Sequence, residues 1–406
     1  MWCEEVKNKN GKVKYRFYEK YKDPYTNKWK RVSVVMNRNT KQTQKEALIE
    51  LTKKIENKKS IKLVENGKIT FGTLVYEWFE FYKSTSGTKR SWHIKLGHFI
   101  NKLFKEIDPD TLALSVDRKL IQDLLIKIVV EQGLTETYAR KVKFVIKSSL
   151  EYGTNVYNLS TPIFINDVVV PKKVLTRADI QKKKNNYLES HEMNKVLNVF
   201  DELIKYEKRP LVKNNIQLIK DISEIQALTG MRIGEVLALT NDDVDYTNRT
   251  IEINGSIEWF KTEGGYGNKE STKTENSLRT ISINPKVIKI IKRVQLRNKK
   301  MLLWEKNYND RGFIFTNSVG NPLHIGVIAF HLSKVKKVVF GNQNRQLTTH
   351  TFRHTHISIL TELDLPLKAI MERVGHKDVK TTLKIYTHVT NNMQQKVDRA
   401  LDNFYF

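Results

Sequence analysis

The chain has a single cysteine, few acidic residues for its number of basic ones, and no long apolar run. Because Cys3 is the one cysteine among 406 residues, a disulfide framework and a cysteine-based zinc site are both excluded. No apolar stretch approaches the roughly 20 residues that a membrane-spanning helix needs. Residues 1–20 are too polar and charged for a secretory signal. We therefore expect a protein of a reducing cytoplasm with no membrane partner.

The shortage of acidic residues indicates a polyanionic partner. There are 71 lysines and arginines against 44 aspartates and glutamates, a formal net charge of +27. Nucleic acid is a more common partner of such proteins than a membrane surface, although a merely basic soluble protein remains an alternative on charge alone. A chain of 406 residues exceeds what one hydrophobic core usually serves, so we expect two or three domains.

Residues 1–60 predict a three-stranded sheet with one helix behind it. Val13–Phe17 and Arg31–Met36 alternate in polarity as half-buried strands do, and Trp2–Val6 is a third candidate strand. Apolar residues at helical spacing follow over 43–58. A β-ribbon can enter a DNA major groove, so basic residues on one face could contact DNA, and a solvated face is an equal alternative. The candidate DNA-binding residues are Lys12, Lys14 and Arg16 on one face, with Lys30 and Arg31 nearby.

Residues 66–160 predict a small all-helical domain. Helical patterns cover 70–83, 91–104, 118–132 and 135–152, with Thr70 as an N-cap. Residues 161–186 then predict a basic linker, which is either solvated or laid across DNA. Basic residues of the last helix could lie along a DNA backbone, and they are Arg140, Lys141, Lys143 and Lys147.

Residues 187–406 predict a mostly helical domain with a strand-rich insertion. The predicted helices cover 211–228, 232–239, 285–300 and 325–339, and the predicted strands cover 250–260 and 278–283. The stretch between these strands, 261–277, is rich in glycine, lysine and serine, so we expect it to be a loop. The last residues, 391–406, end in apolar side chains that need a partner surface, on a neighbouring subunit or on the same domain.

This last region contains a set of residues suited to cutting DNA without a metal. The charge of a phosphodiester spreads over its nonbridging oxygens in the transition state, and two arginine forks can bind both oxygens. Arg232 and Arg353 are the candidates. A tyrosine nucleophile, Tyr386, would form a covalent protein–DNA bond and split the exchange into two steps.

Proton transfer needs further groups. The leaving 5′-hydroxyl needs a proton, which Lys273 could supply. His350 and His376 could share proton transfer or donate hydrogen bonds to the phosphoryl oxygens. A metal-dependent nuclease would instead need clustered carboxylates, and the sequence has no persuasive set.

The motifs around these residues resemble those of the tyrosine recombinase, or phage integrase, family. Each motif alone is weak, but six catalytic positions in the family's order are specific. Phe352 stands where leucine is commoner in the His-x-x-Arg box. The matching segments are Thr229–Leu239, Lys273–Ile283, His350–Arg353, Val374–His376 and Thr381–His388.

The resemblance implies both roles and architecture. Glu235, one helical turn beyond Arg232, would orient the site without acting as an acid or base. The implied fold is multidomain and mainly α with small β elements. It comprises an arm-type DNA-binding domain (1–60), a SAM-like helical core-binding domain (66–160), the linker, and an α+β catalytic domain with a C-terminal tail (187–406).

The resemblance also implies a function. A recombinase of this family integrates and excises a phage or mobile element through a 3′-phosphotyrosyl intermediate and a Holliday junction, without a cofactor or metal. It acts as a homotetramer on core and arm sites in double-stranded DNA, at the nucleoid of a bacterial cytoplasm. An excisionase and a host DNA-bending protein are further expected partners. A type IB topoisomerase and a DNA-binding protein without catalysis are the alternatives.

Overall fold

The chain divides into two compact units, Met1–Val174 and Leu175–Phe406. None of the described helices is long and apolar enough to cross a membrane. The computed structural model describes residues 1–7, 13–22, 29–59, 69–159, 162, 164–173, 176–177, 186–271, 278–379, 382–383, 398 and 402.

The first unit begins with an antiparallel sheet of order β1-β2-β3. Its strands are β1 (Trp2–Lys7), β2 (Val13–Lys22) and β3 (Trp29–Met36). Helix α1 (Lys41–Lys59) follows and packs on one sheet face through the buried Ala47 and Leu51. The predicted three-stranded sheet with one helix is confirmed.

Alternation along β2 separates the two sides of this sheet. Phe17 and Tyr21 lie in the core beneath α1. Side chains on neighbouring positions of a strand point to opposite faces, so Lys14 and Arg16 lie on the face away from α1. Lys30 pairs directly with Tyr21 and therefore lies on the α1 side, apart from those two residues.

The rest of the first unit is helical. Its helices are α2 (Phe71–Thr85), α3 (Arg90–Leu103), α4 (Arg118–Ile126), α5 (Glu136–Tyr157) and the short α6 (Phe164–Asp167). Thr70 caps α2 as predicted, since its side chain accepts a hydrogen bond from the Thr73 backbone N–H. The helix predicted over 118–132 is helical as far as Glu131, but it is α-helical only to Ile126, where a π-helical turn, Lys127–Glu131, takes over. That wider turn lets the adjacent Ile128 and Val129 both enter the core.

The second unit is built around helix α8. Its larger helices are α7 (Ser190–Tyr206), α8 (Pro210–Thr229), α10 (Pro285–Trp304), α11 (Ile325–Phe340) and α12 (Thr349–Glu362), with the short α9 (Ile233–Leu237) and α13 (Leu367–Val374). From Ile216 onward, helix α8 is buried on nearly all sides. Its buried Asp221 and Glu224 are tolerated because Arg293 and Lys286 of α10 pair with them.

The strand-rich insertion forms two small sheets. Strands β4 (Val244–Asp245), β5 (Thr250–Ile253) and β8 (Arg279–Ser282) make an antiparallel sheet of order β4-β5-β8. Strands β6 (Gly255–Thr262) and β7 (Gly265–Ser271) make an antiparallel hairpin.

The expectation of a loop over 261–277 is therefore wrong for its first half, because β7 is a strand. Distant residues hold it there: Asn321 accepts a hydrogen bond from the Tyr266 backbone N–H at 3.1 Å, and Arg311 donates to the side chain of Asn268 at 2.8 Å. Gly265 and Gly267, with φ of +133° and +84°, obscure the strand pattern in the sequence.

Candidate active site

Arg232 lies where helix α8 gives way to α9. Gly230 ends α8 in the left-handed conformation, with φ +69°, and Arg232 is the N-cap of α9. The Arg232 guanidinium donates through Nη1 to Glu235 Oε1 and through Nη2 to the Gly375 carbonyl, both at 2.8 Å. Its side chain remains 38% exposed, so it is fixed in place yet open to a ligand.

Arg353 is buried on helix α12, with 3% of its surface exposed. It donates through Nη1 to the Gly230 carbonyl at 2.6 Å and through Nη2 to the Val374 carbonyl at 2.7 Å. Burial and then the charge of Arg232 lower the pKa of Arg353 to about 9, which leaves the guanidinium charged at neutral pH. The structure therefore brings the two sequence-predicted arginines to the same place.

The C-terminal end of helix α13 holds both of them. The Arg373 carbonyl accepts a hydrogen bond from Nε of Arg279 at 2.9 Å. With the two bonds to Val374 and Gly375, three successive carbonyls at this end each bind a different arginine. The last carbonyls of a helix lack partners within it and carry its negative dipole end, so they suit guanidinium groups.

Glu235 lies beneath this cluster, with its side chain 4% exposed. Its Oε2 accepts from Nη2 of Arg279 at 2.8 Å and from the Arg232 backbone N–H at 2.9 Å. Burial alone would raise the pKa of Glu235, but the hydrogen bonds from Arg279 and the nearby arginine charges hold it below its usual value. The carboxylate is therefore ionised.

The two predicted histidines lie beside the arginines. Desolvation and then the charges of Arg353 and Arg232 lower the pKa of His350, which precedes Arg353 by one turn of α12. Nδ1 of His376 lies 2.8 Å from Oγ1 of Thr382. Burial, followed by the same two arginine charges, lowers the pKa of His376 to about 3. Both imidazoles are neutral at neutral pH before DNA binds.

Two predicted site residues, Lys273 and Tyr386, lie outside the described residues. The nearby Lys269 is described, on strand β7. Its Nζ lies 2.9 and 2.6 Å from the two carboxylate oxygens of Asp243, whose side chain is 5% exposed. The ammonium of Lys269 is thus held by a buried ion pair.

The candidate DNA-binding residues of helix α5 have contacts within their own unit. Nζ of Lys143 donates to the Val168 carbonyl at 2.6 Å. Nζ of Lys141 lies 4.9 Å from the ring centre of Trp92. The other two are also engaged, Arg140 with Glu136 and Lys147 with Asn166. Lys12, the first of the sheet candidates, lies outside the described residues.

Sequence reasoning missed two site residues, Arg279 and Arg373. Arg279 lies in the matching segment Lys273–Ile283, six residues after Lys273, and its place in that motif is the one sequence signal for it. Arg373 donates from Nε to Nε2 of His356 at 3.1 Å and from Nη2 to the Ser282 carbonyl at 3.0 Å. These bonds anchor α13 to α12 and to strand β8, and no local sequence pattern reveals them.

Comparisons with known proteins found similar sequences and a matching sequence model. A sequence model described as "Phage integrase family" matches residues 186–393. An integrase of Staphylococcus phage L54a is 39% identical over 365 residues, covering 88% of this chain and 98% of that protein. A probable integrase of prophage ps2 from Lactococcus lactis subsp. lactis is 32% identical over 400 residues, covering 98% of both chains.

Solved structures share the fold. The Tn1549 transposon integrase in complex with transposon right end DNA matches with a TM-score of 0.60 at 20% identity, over 82% of this chain and all of that one. A lambda integrase dimer bound to a COC′ core site matches with a TM-score of 0.56 at 13% identity, over 95% of each chain. The fold class expected from the sequence is thereby confirmed.

Proposed function

The chain belongs to the phage integrase family, and from that premise we propose that Tyr386 carries out the DNA cleavage by which it integrates and excises a mobile element. Its similarity over 88% of its length to an integrase of a staphylococcal phage, together with the family match, makes it a site-specific DNA recombinase of the tyrosine type.

The convergence of Arg232 and Arg353 at the end of α13 carries this proposal. Their guanidinium groups are tied to adjacent carbonyls, those of Gly375 and Val374. In the proposed complex they bind the nonbridging oxygens of the scissile phosphate, with His350 and His376 as further hydrogen-bond donors. Fixed donors that meet charge as it develops favour the transition state over the ground state.

The proposed reaction has two balanced steps. In the first, the Tyr386 oxygen attacks phosphorus, the bond to the 5′-oxygen breaks, and a 3′-phosphotyrosine forms. Lys273 gives a proton to the departing 5′-oxygen, and the phenol proton leaves through His350 or His376, which are neutral before DNA binds. In the second step the 5′-hydroxyl of the partner strand gives its proton to Lys273 and attacks phosphorus. The bond from phosphorus to the tyrosine oxygen breaks, and the tyrosine regains its proton from the histidine. One phosphate ester replaces another, so no ATP is needed.

A nicked suicide substrate tests the nucleophile. Loss of the short strand beyond the nick prevents religation, so the covalent adduct accumulates and is visible on a denaturing gel. Tyr386→Phe should bind DNA normally and form no adduct, because only the hydroxyl is lost. Tyr405→Phe is the matched control and should form adduct like the wild type. An adduct from Tyr386→Phe would overturn the assignment, and strong inhibition by EDTA would point to a metal mechanism.

The DNA partner and its assembly are part of the proposal. The Tn1549 and lambda integrases were solved with transposon-end and core-site DNA, which supports double-stranded DNA as the partner here. We assign core-site binding to residues 66–160 and arm-site binding to residues 1–60, with a homotetramer as the active form. The proposed setting is the DNA of a bacterial cytoplasm, and an excisionase and a host DNA-bending protein would set the direction of recombination.

A further inference from the structure

The geometry points to Arg279 as a positioning residue that neutralises the carboxylate of Glu235. The positive charge of Arg232 then remains available for the phosphate, and its guanidinium stays correctly oriented. This inference rests on the proposed function, because it takes Arg232 as a ligand of the scissile phosphate. Arg279 itself does not reach the DNA in this assignment, since its side chain is only 8% exposed.

The two arginines share Glu235 unequally. Arg279 presents a fork to the carboxylate, with Nη2 at 2.8 Å from Oε2 and Nη1 at 3.3 Å from Oε1. The Arg232 guanidinium makes one bond to the carboxylate, from Nη1 to Oε1 at 2.8 Å. The bidentate arrangement is the stronger one, so the negative charge of Glu235 is matched mainly by Arg279.

The charge balance of this cluster fits the reaction. Three arginines, Arg232, Arg279 and Arg353, surround one glutamate, so the cluster has a formal excess of two positive charges. Two is also the negative charge that the nonbridging oxygens approach as tyrosine attacks a phosphodiester. If Arg279 lost its charge, Glu235 would pair with Arg232 alone and one positive charge would remain. Such changes have large effects in a buried, low-dielectric site.

Arg279 also packs against the residue whose carbonyl holds Arg232. Gly375 has φ +70°, and a Cβ atom at this position would lie 2.9 Å from Nη1 of Arg279. The Arg279 guanidinium therefore packs directly against Gly375, whose carbonyl accepts the bond from Arg232. The same side chain is fixed at its other end by the Arg373 carbonyl. Arg279 thus binds the carboxylate that holds Arg232 and packs against Gly375, the residue whose carbonyl holds Arg232.

The first test is whether removal of the Glu235 carboxylate restores the cleavage that is slowed by the loss of Arg279. Arg279→Gln should slow single-turnover cleavage of the suicide substrate by about 100-fold, with DNA affinity changed little. Adding Glu235→Gln removes the unmatched carboxylate, so the double variant should cleave at least about tenfold faster than Arg279→Gln alone. A merely structural role predicts the opposite order, because the second substitution would remove more of the same hydrogen-bond network. Arg297→Gln is the matched control, since Arg297 is a half-buried arginine of α10 that donates to Thr316 and Asn298.

The second test is a double-mutant cycle with Arg279→Lys. This substitution keeps a positive charge beside the buried Glu235, so that the protein still folds. Arg279→Lys should slow the wild-type enzyme by about tenfold but add almost nothing to Arg232→Lys, because it acts through Arg232. If the effects of Arg279→Lys and Arg232→Lys on the cleavage rate were fully additive, the inference would be overturned. It would also be overturned if the double variant Arg279→Gln, Glu235→Gln cleaved more slowly than Arg279→Gln alone. If Arg232→Lys cleaves like the wild type, the proposed function is at fault, whatever the Arg279 variants show.

Discussion

Arg232 donates a hydrogen bond to the carbonyl oxygen of Gly375, 2.8 Å away across 143 residues of sequence. The bond joins the first arginine motif to the Gly-His motif, and it exists because Gly375 ends helix α13 in the left-handed conformation. The neighbouring carbonyl of Val374 holds Arg353 in the same way. One helix end therefore sets the spacing of the two arginines that we propose as the phosphate clamp.

Replacing Gly375 tests this helix end. Gly375→Ala should lower the free energy of unfolding by about 1–2 kcal/mol, because a residue with a side chain is strained at positive φ. It should also slow cleavage strongly, since the new Cβ would displace Arg279. Gly312→Ala is the control, with φ +76° but nothing within 4 Å of its added Cβ. Gly312→Ala should lose stability but cleave at the wild-type rate. If Gly375→Ala and Gly312→Ala cleaved DNA at the same rate, the proposed role of this helix end would be contradicted.

Lys273, the proposed acid, and the nearby Lys269 can be distinguished by changing the leaving group of the substrate. Lys273→Ala should slow cleavage of a normal phosphodiester, and a 5′-bridging phosphorothiolate should restore the rate because a thiolate leaves without a proton. Lys269→Ala should instead destabilise the fold by at least about 1 kcal/mol, because it leaves the buried Asp243 carboxylate without its cation. Cleavage rates on both substrates and urea unfolding measure these effects. Rescue of Lys269→Ala but not Lys273→Ala would show that Lys269 is the acid.

Acid should weaken the second unit through His356. Arg373 donates to Nε2 of this buried imidazole, and its Nδ1 lies 2.9 Å from the Ala227 carbonyl, so the neutral form fits. Burial and then the charge of Arg373 lower the pKa of His356 from 6.5 to about 4. The unfolded chain therefore binds this proton first. The free energy of unfolding should fall as the pH drops from about 6.5 to about 4, by about 3 kcal/mol from this group, with no further change below that range.

His356→Gln tests the acid effect, because it cannot titrate. The slope of unfolding free energy against pH between 6.5 and 4 should become shallower in this variant, as measured by urea unfolding at several pH values. Some slope should remain, since the pKa of His376 is lowered to about 3 and has the same sign. His191→Gln is the control, because His191 is 62% exposed. Equal slopes in the wild type and His356→Gln would contradict the prediction.

The N-terminal sheet should matter for recombination but not for cleavage. Removal of residues 1–63 should leave the cleavage of a short core-site substrate unchanged. It should strongly reduce recombination between full attachment sites, because binding of a tethered second DNA site adds avidity. Charge reversal at Lys14 and Arg16 should reproduce the deletion. Lys30→Glu is a control that the structure provides, since Lys30 lies on the α1 side of the sheet. Full recombination by the truncated protein would rule out the arm-binding role.

Local sequence was sufficient for most of the fold. Capping of α2 by Thr70 was predictable, because a cap involves residues a few positions apart. The alternation of β2 was likewise predictable, because a strand alternates whatever its surroundings. Strand β7 was missed since Asn321 and Arg311, far along the chain, hold its glycine-rich sequence in place.

The sequence by itself determined the family and indicated the residues that we propose as catalytic. This was possible because the identity and order of motif residues can be recognised without knowing their contacts. Only the tertiary structure decided how the arginines are held. Nothing near Arg279 indicates that it pairs with Glu235, 44 residues earlier, or that Arg232 and Arg353 bind adjacent carbonyls of α13. Such bonds depend on which helix ends meet in the folded chain, and long-range packing alone sets that.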